Sequence, residues 1–242
     1  MALPKIDQLT MSKKVHLPIL DKDVTVNAFT IGEERVLMLK KSSDDKPEEN
    51  KDLENTLIDL ISKKTKGCDI KDLTYVDMII LMSTILEISK GGIQTLEYVC
   101  QNELPDGTIC NTPIQQDINI ADYKVEGDIS KREYLVQITD EIAIMFTYPK
   151  FVDIVNIKTE DPFEYSIQLI CNSIKSVLDK GEAVEFQKDE LKSWLESLPA
   201  SVLNKVKDYF DKLPTVKISY EVKCPHCGYT KKYEVSNLLD FF

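Results

Sequence analysis

Two histidines, one tryptophan and eight glycines are all that 242 residues hold of those types, and the scarcity excludes several chemistries. With so little histidine a hydrolytic triad has little support. His16 falls in an expected edge strand and His226 in a turn, and neither has an evident Ser or Cys nucleophile beside it. Eight glycines provide no Gly-rich phosphate loop, so a nucleotide cradle is hard to build. Long apolar runs are also missing. The longest lies near 76–88, and Asp77 and Glu87 interrupt it, which is too short and too charged to span a bilayer. The first residues, Met-Ala-Leu-Pro-Lys-Ile-Asp, lack the basic and apolar regions of a secretory signal. Basic residues number 30 against 41 acidic ones, for a net charge of -11. An acidic surface repels phosphate, so nucleic acid is a poor partner. The carboxylates themselves read as a solvated face.

Apolar residues make up 43% of the chain, enough for a real core in one large domain or two small ones. His16–Leu20 and Val24–Phe29 read as a hairpin around Asp21-Lys22-Asp23, with Pro18 placing the first strand on an edge. A helix is expected over 32–41, an exposed loop over 42–50, and a second helix over 52–63 ended by Gly67. Thr74 is a candidate N-cap, with Asp77 in the first turn, for a helix over 75–89 that is apolar over most of its circumference and therefore central. Strands follow at 95–99 and 113–120, then at 136–138 and 142–146. Helical spacing returns at Phe163, Ile167, Ile170, Ile174 and Val177. Two short helices at 188–197 and 200–212 carry Trp194, Tyr209 and Phe210, aromatics that suit the core better than a contact surface. The strands 216–222 and 231–235 flank the last cysteine pair. The order is α+β: a helical body with β-hairpins, without a repeating βαβ pattern.

Cys224-Pro225-His226-Cys227-Gly228 is the strongest local signal. Two thiolates two residues apart grip one metal ion from a tight turn, and the strands on both sides make it a knuckle at a hairpin tip. Tetrahedral zinc needs two more ligands. Cys100 and Cys110 have the same context of strand, Cys, turn, Cys, strand, and Leu104-Pro105-Asp106-Gly107 supplies the turn. The two pairs read as halves of one zinc ribbon split by 113 inserted residues. A knuckle of this form also resembles those of rubredoxins, which hold iron, but the long first loop departs from that pattern. A disulfide is unexpected in the reducing cytosol this chain is expected to occupy. A thioredoxin-type pair would open a helix rather than join strands. Cys171 reads as a small buried thiol and Cys68 has no assigned role. With four protein ligands no coordination position stays open, so nothing positive supports an enzyme or a small-molecule substrate.

Several segments carry a family resemblance. They are Val15-His16-Leu17-Pro18, Val26 through Leu37, Ile70-Lys71-Asp72-Leu73-Thr74, and Leu96-Glu97-Tyr98-Val99-Cys100. Trp194, Leu198-Pro199, Leu213-Pro214 and the terminal knuckle follow in order. Together they resemble the baseplate assembly protein family of T4-like tailed phages. The resemblance implies a non-enzymatic assembly factor for the central hub of the baseplate, with hub proteins as partners. It implies residence in the host cytoplasm during assembly, with the virion tail baseplate as an alternative for a permanent subunit. It carries over only Cys100, Cys110, Cys224 and Cys227, as a structural zinc site. The expected organisation is an N-terminal hairpin and helical region over 1–92 and a first cysteine hairpin over 93–122. Inserted strands and helices over 123–214 come next, then a second cysteine hairpin and tail over 215–242. The apolar end, Leu238-Leu239-Asp240-Phe241-Phe242, is either a partner anchor or packing for its own strand.

Overall fold

The computed structural model describes residues 11–41 and 47–235. The chain mixes helices with several antiparallel sheets. It opens with β1 (Ser12–Leu17) and β2 (Lys22–Asn27), and among the described residues β1 is an edge strand of its sheet, although Pro18 itself lies beyond it. The hairpin closes earlier than expected. Leu17 pairs with Lys22, so Pro18, Ile19 and Leu20 belong to the turn and Asp21 takes φ 54° there. The cause is Asp77: its carboxylate accepts the Ile19 N–H at 2.9 Å and the Leu20 N–H at 2.8 Å, so those donors serve the turn. Expected only as an acidic partner for its own first turn, Asp77 is completely buried.

Helix α1 (Ile31–Lys41) comes next, and α2 (Pro47–Lys64) then runs into a short third strand, β3 (Thr65–Lys66), beside β2. Of the loop expected over 42–50, residues 47–50 are helical, since proline is well placed in the first turn of α2. The remainder, 42–46, lies outside the described residues. Helix α3 (Tyr75–Lys90) starts at the Thr74 cap and is buried continuously from Val76 to Leu86, the central position its composition implied. Leu17, Val24 and Val26 from the hairpin, Leu57 and Ile61 from α2, and Ile118 and Ile120 pack around it as the larger core.

Strands β4 (Ile93–Val99) and β5 (Pro113–Asn119) form the first cysteine hairpin. Next come β6 (Lys124–Glu126), β7 (Glu133–Gln137) and β8 (Ile142–Thr147), then helices α4 (Phe151–Val155) and α5 (Pro162–Ser173). The helical spacing read through Val177 breaks here. Helix α5 stops at Ser173, and the chain continues as β9 (Ile174–Asp179), paired with β8. Ile174 and Val177 are β-branched and suit an inner strand of a sheet better than a helix end. Lys180 and Gly181, both at positive φ, then turn β9 into β10 (Glu182–Val184), a two-residue hairpin that the sequence reading missed. Phe163, the first position of that helical spacing, is 57% exposed. Helices α6 (Lys188–Ser197) and α7 (Ser201–Phe210) complete a second core. In it Val202, Val206 and Tyr209 lie on Ile144 and Phe146, with Trp194 and Phe210 at its margin. Tyr134 and Leu213 pack against both cores and join them.

Strand β11 (Thr215–Lys223) pairs with β6 along Thr215–Lys217 and with β12 (Thr230–Val235) along Ile218–Lys223. Residues 238–242, read as an apolar end, lie outside the described residues. Among the described residues, no helix is long and apolar enough to cross a membrane.

Candidate metal centre

The first cysteine hairpin is shaped by its loop. Strands β4 and β5 pair from Ile93–Asn119 to Val99–Pro113, and the ladder then gives way to specific loop bonds. The Cys100 N–H donates to the Thr112 carbonyl at 2.9 Å, and the Asn111 N–H to the Cys100 carbonyl at 3.0 Å. Asn111 takes φ 51°, a conformation asparagine tolerates better than most residues. Farther out, the Cys110 N–H donates to the Asn102 carbonyl at 2.9 Å and the Leu104 N–H to the Thr108 carbonyl at 2.8 Å. Leu104-Pro105-Asp106-Gly107 turns the tip, closed by the Gly107 N–H on the Leu104 carbonyl at 2.9 Å. The long spacing between Cys100 and Cys110 thus folds back on itself, and both thiols emerge from the same end of the hairpin.

The second hairpin is shorter. The Cys224 N–H donates to the Tyr229 carbonyl at 2.8 Å, and the Gly228 N–H to the Cys224 carbonyl at 3.0 Å. Gly228, at φ 72°, supplies the left-handed step that lets the chain reverse. Pro225 and His226 occupy the exposed crest of this turn.

The four sulfurs converge although the two pairs are far apart in the chain. Cys100 Sγ lies 3.7 Å from Cys227 Sγ, and Cys110 Sγ lies 3.8 Å from Cys224 Sγ. All four lie within 4.8 Å of one another. A covalent disulfide would need about 2.05 Å, and all four cysteines are free. A tetrahedron of sulfurs at about 2.3 Å from a central ion has edges of about 3.8 Å, so the pairwise spacing fits one such ion. Cys100 and Cys224 are buried, whereas Cys110 and Cys227 are half-buried.

Electrostatics point the same way. The Thr112 hydroxyl is the main influence bringing the Cys110 thiol down to about 6, and the His226 imidazole adds to it. Cys224 is lowered chiefly by the Cys227 backbone N–H. At Cys100 the Asn102 backbone N–H favours the thiolate, but burial and three neighbouring sulfurs outweigh it and push the thiol up to about 12. Four thiolates this close repel strongly, and a cation at their centre relieves that repulsion. The four sulfurs lie close enough together to hold a single metal ion between them.

Several contributors were not evident from the sequence. His226 is exposed in its turn, yet its Nδ1 lies 3.5 Å from Cys110 Sγ. The Asn102 side-chain amide approaches Cys227 Sγ at 3.7 Å, and Thr112 Oγ1 lies 3.2 Å from Cys110 Sγ. Tyr98, Tyr220 and Tyr233 cluster below the sulfurs and tie the hairpins together. The Tyr98 and Tyr220 hydroxyls are hydrogen-bonded, and the Tyr98 ring lies 4.7 Å from that of Tyr233. The available signal was register. Tyr98 is two residues before Cys100 and Tyr220 four before Cys224, so each shares a face of its strand with the following thiol. The remaining cysteines stand apart from the cluster: Cys68 and Cys171 are both half-buried, and burial raises both thiols. Cys171 is thus less enclosed than its place beside an apolar stripe suggested.

Comparison with known proteins adds the family. The chain is 25% identical over 234 residues to the baseplate hub assembly protein gp26 of Enterobacteria phage T4, covering 95% of this chain and 97% of that protein. No solved structure matches it. The family model described as T4 bacteriophage base plate protein matches residues 10–242, and the chain belongs to that family.

Proposed function

We propose that this protein is a non-enzymatic assembly factor for the central hub of a phage baseplate, acting through protein contacts and held in shape by one structural zinc ion. Membership of the baseplate family and near full-length similarity to a hub assembly protein support the role. The convergence of Cys100, Cys110, Cys224 and Cys227 is the observation that carries the zinc reading. The ion would complete a split zinc-ribbon-like module from the hairpins 93–122 and 215–235, with the strands and helices of 123–214 as an insertion between its halves. Structural zinc sites contribute folding free energy on the order of 10 kcal/mol. Here that energy would fix the two ends of the insertion to each other. The role places the protein in the host cytoplasm during assembly, with baseplate hub proteins as partners.

The second reading is a permanent subunit of the tail baseplate. The similar T4 protein is a baseplate hub assembly protein, which favours assembly over residence. Quantitative mass spectrometry of hub intermediates and of purified virions separates the two. An assembly factor is enriched on intermediates and scarce in virions. A fixed stoichiometry in virions would establish a permanent subunit and defeat the chaperone-like role. A redox protein is a third possibility, and it requires iron in the cysteine site. Its mark would be a visible absorption band, whereas the zinc-loaded protein is colourless.

A further inference from the structure

The four sulfurs fall into two classes by their hydrogen-bond donors. Cys100 and Cys224 are buried, and main-chain N–H groups of their own hairpins serve them: Asn102 at Cys100, His226 and Cys227 at Cys224. Cys110 and Cys227 are half-buried, and a side chain from the opposite hairpin reaches each. The Asn102 amide nitrogen crosses from the first hairpin to Cys227 Sγ at 3.7 Å. His226 Nδ1 crosses from the second hairpin to Cys110 Sγ at 3.5 Å.

Asn102 and His226 hold equivalent places. Each follows the first cysteine of its hairpin by two residues. Each turns its main-chain N–H to that cysteine and its side chain to the second cysteine of the other hairpin. The Asn102 carbonyl also accepts the Cys110 N–H at 2.9 Å, so this one residue addresses three of the four cysteines. Thr112 Oγ1, 3.2 Å from Cys110 Sγ, is a further donor, but it stays within the first hairpin. A metal-bound thiolate carries no proton and only accepts hydrogen bonds, so His226 presents Nδ1–H to Cys110. Zinc with four thiolates has a net charge of about −2. Donors outside the ligands spread that charge and fix each sulfur in place. Here two of them also tie one half of the split site to the other.

We propose that Asn102 and His226 are paired positioning residues of the metal site. They form a reciprocal latch, in which each hairpin donates a side-chain hydrogen bond to the half-buried thiolate of the other and so slows loss of the metal. The latch rests on the zinc reading above.

Zinc transfer from the full-length protein to pyridylazoresorcinol tests it. Asn102→Leu and His226→Phe remove the donors at little change in size, and each is expected to release zinc about tenfold faster than wild type. Asn102→Gln and His226→Asn keep an amide donor and should release it at close to the wild-type rate. Cobalt loading gives a second readout. A hydrogen bond stabilises the sulfur lone pair, so the sulfur-to-cobalt charge-transfer band should move to longer wavelength in Asn102→Leu and His226→Phe. It should stay near the wild-type position in the two amide variants. Unchanged release and an unmoved band in Asn102→Leu and His226→Phe, with zinc present in wild type, would overturn the latch alone. Equal acceleration in the amide variants would overturn it too, since a donor would then not matter. Wild-type protein without zinc would overturn the latch together with the zinc reading.

Discussion

Replacing Asp77 by alanine is expected to cost about 3 kcal/mol of stability, with the cysteine site left intact. The side chain is completely buried at the start of α3 and serves two main-chain donors, Ile19 at 2.9 Å and Leu20 at 2.8 Å. Thr74 Oγ1 adds a longer contact at 3.3 Å. A buried donor left without a partner costs roughly 1–3 kcal/mol. The Ile19 bond is buried and the Leu20 bond partly so, which places the first near the top of that range and the second near the bottom. Release from burying a carboxylate returns part of the sum. In a chain of this size each kcal/mol moves the melting temperature by about 2–4 °C, so D77A should melt roughly 6–12 °C below the wild type. D77N keeps the shape and one acceptor, and should lose less. Burial is the first cause that raises the Asp77 pKa above 3.8, outweighing the backbone hydrogen bonds. The folded state therefore holds this proton to a higher pH than the unfolded chain does. Stability from this group is full below 3.8 and falls as pH rises through the raised folded value. The margin of wild type over D77N should shrink across that window. Thermal melts by circular dichroism, and urea titrations at several pH values, read both effects. A D77A melt within 2 °C of wild type, or a margin that grows with pH, would refute the reasoning.

Two other substitutions follow from geometry. Gly127 sits at φ 103°, and an added Cβ would lie 2.9 Å from Pro214 Cα, so G127A meets both strain and backbone. Its cost should be about 2 kcal/mol or more in urea, against about 1 kcal/mol for G181A, whose Cβ would meet nothing within 4 Å. Y220F removes the hydroxyl bonded to Tyr98 and should cost about 1 kcal/mol. Metal content should stay unchanged in Y220F, since the tyrosine supports the hairpins from below the sulfurs.

Much of this molecule was legible because its signals are local. Thr74 caps α3, the apolar run after it forms the buried helix, and Cys-x-x-Cys lies at a hairpin tip, as their patterns require. The turn at Leu104–Gly107 was readable for the same reason. What failed depended on partners distant in sequence. Ile174 and Val177 fit a helix by spacing, yet pairing with β8 converts that stretch to strand. Pro18–Leu20 fit a strand by composition, yet a carboxylate 57 residues away takes the N–H of Leu20. The approach of His226 and Thr112 to Cys110 arises only when two hairpins meet across the insertion, so no window of the sequence contains it.

The central claim is that four distant cysteines hold one zinc ion. Native mass spectrometry with elemental analysis of the same sample tests it most directly. The account predicts one zinc per chain, lost in C110S and in C227S, and retained in C68S and C171S. A protein without metal, iron in place of zinc, or zinc that survives C110S would contradict it.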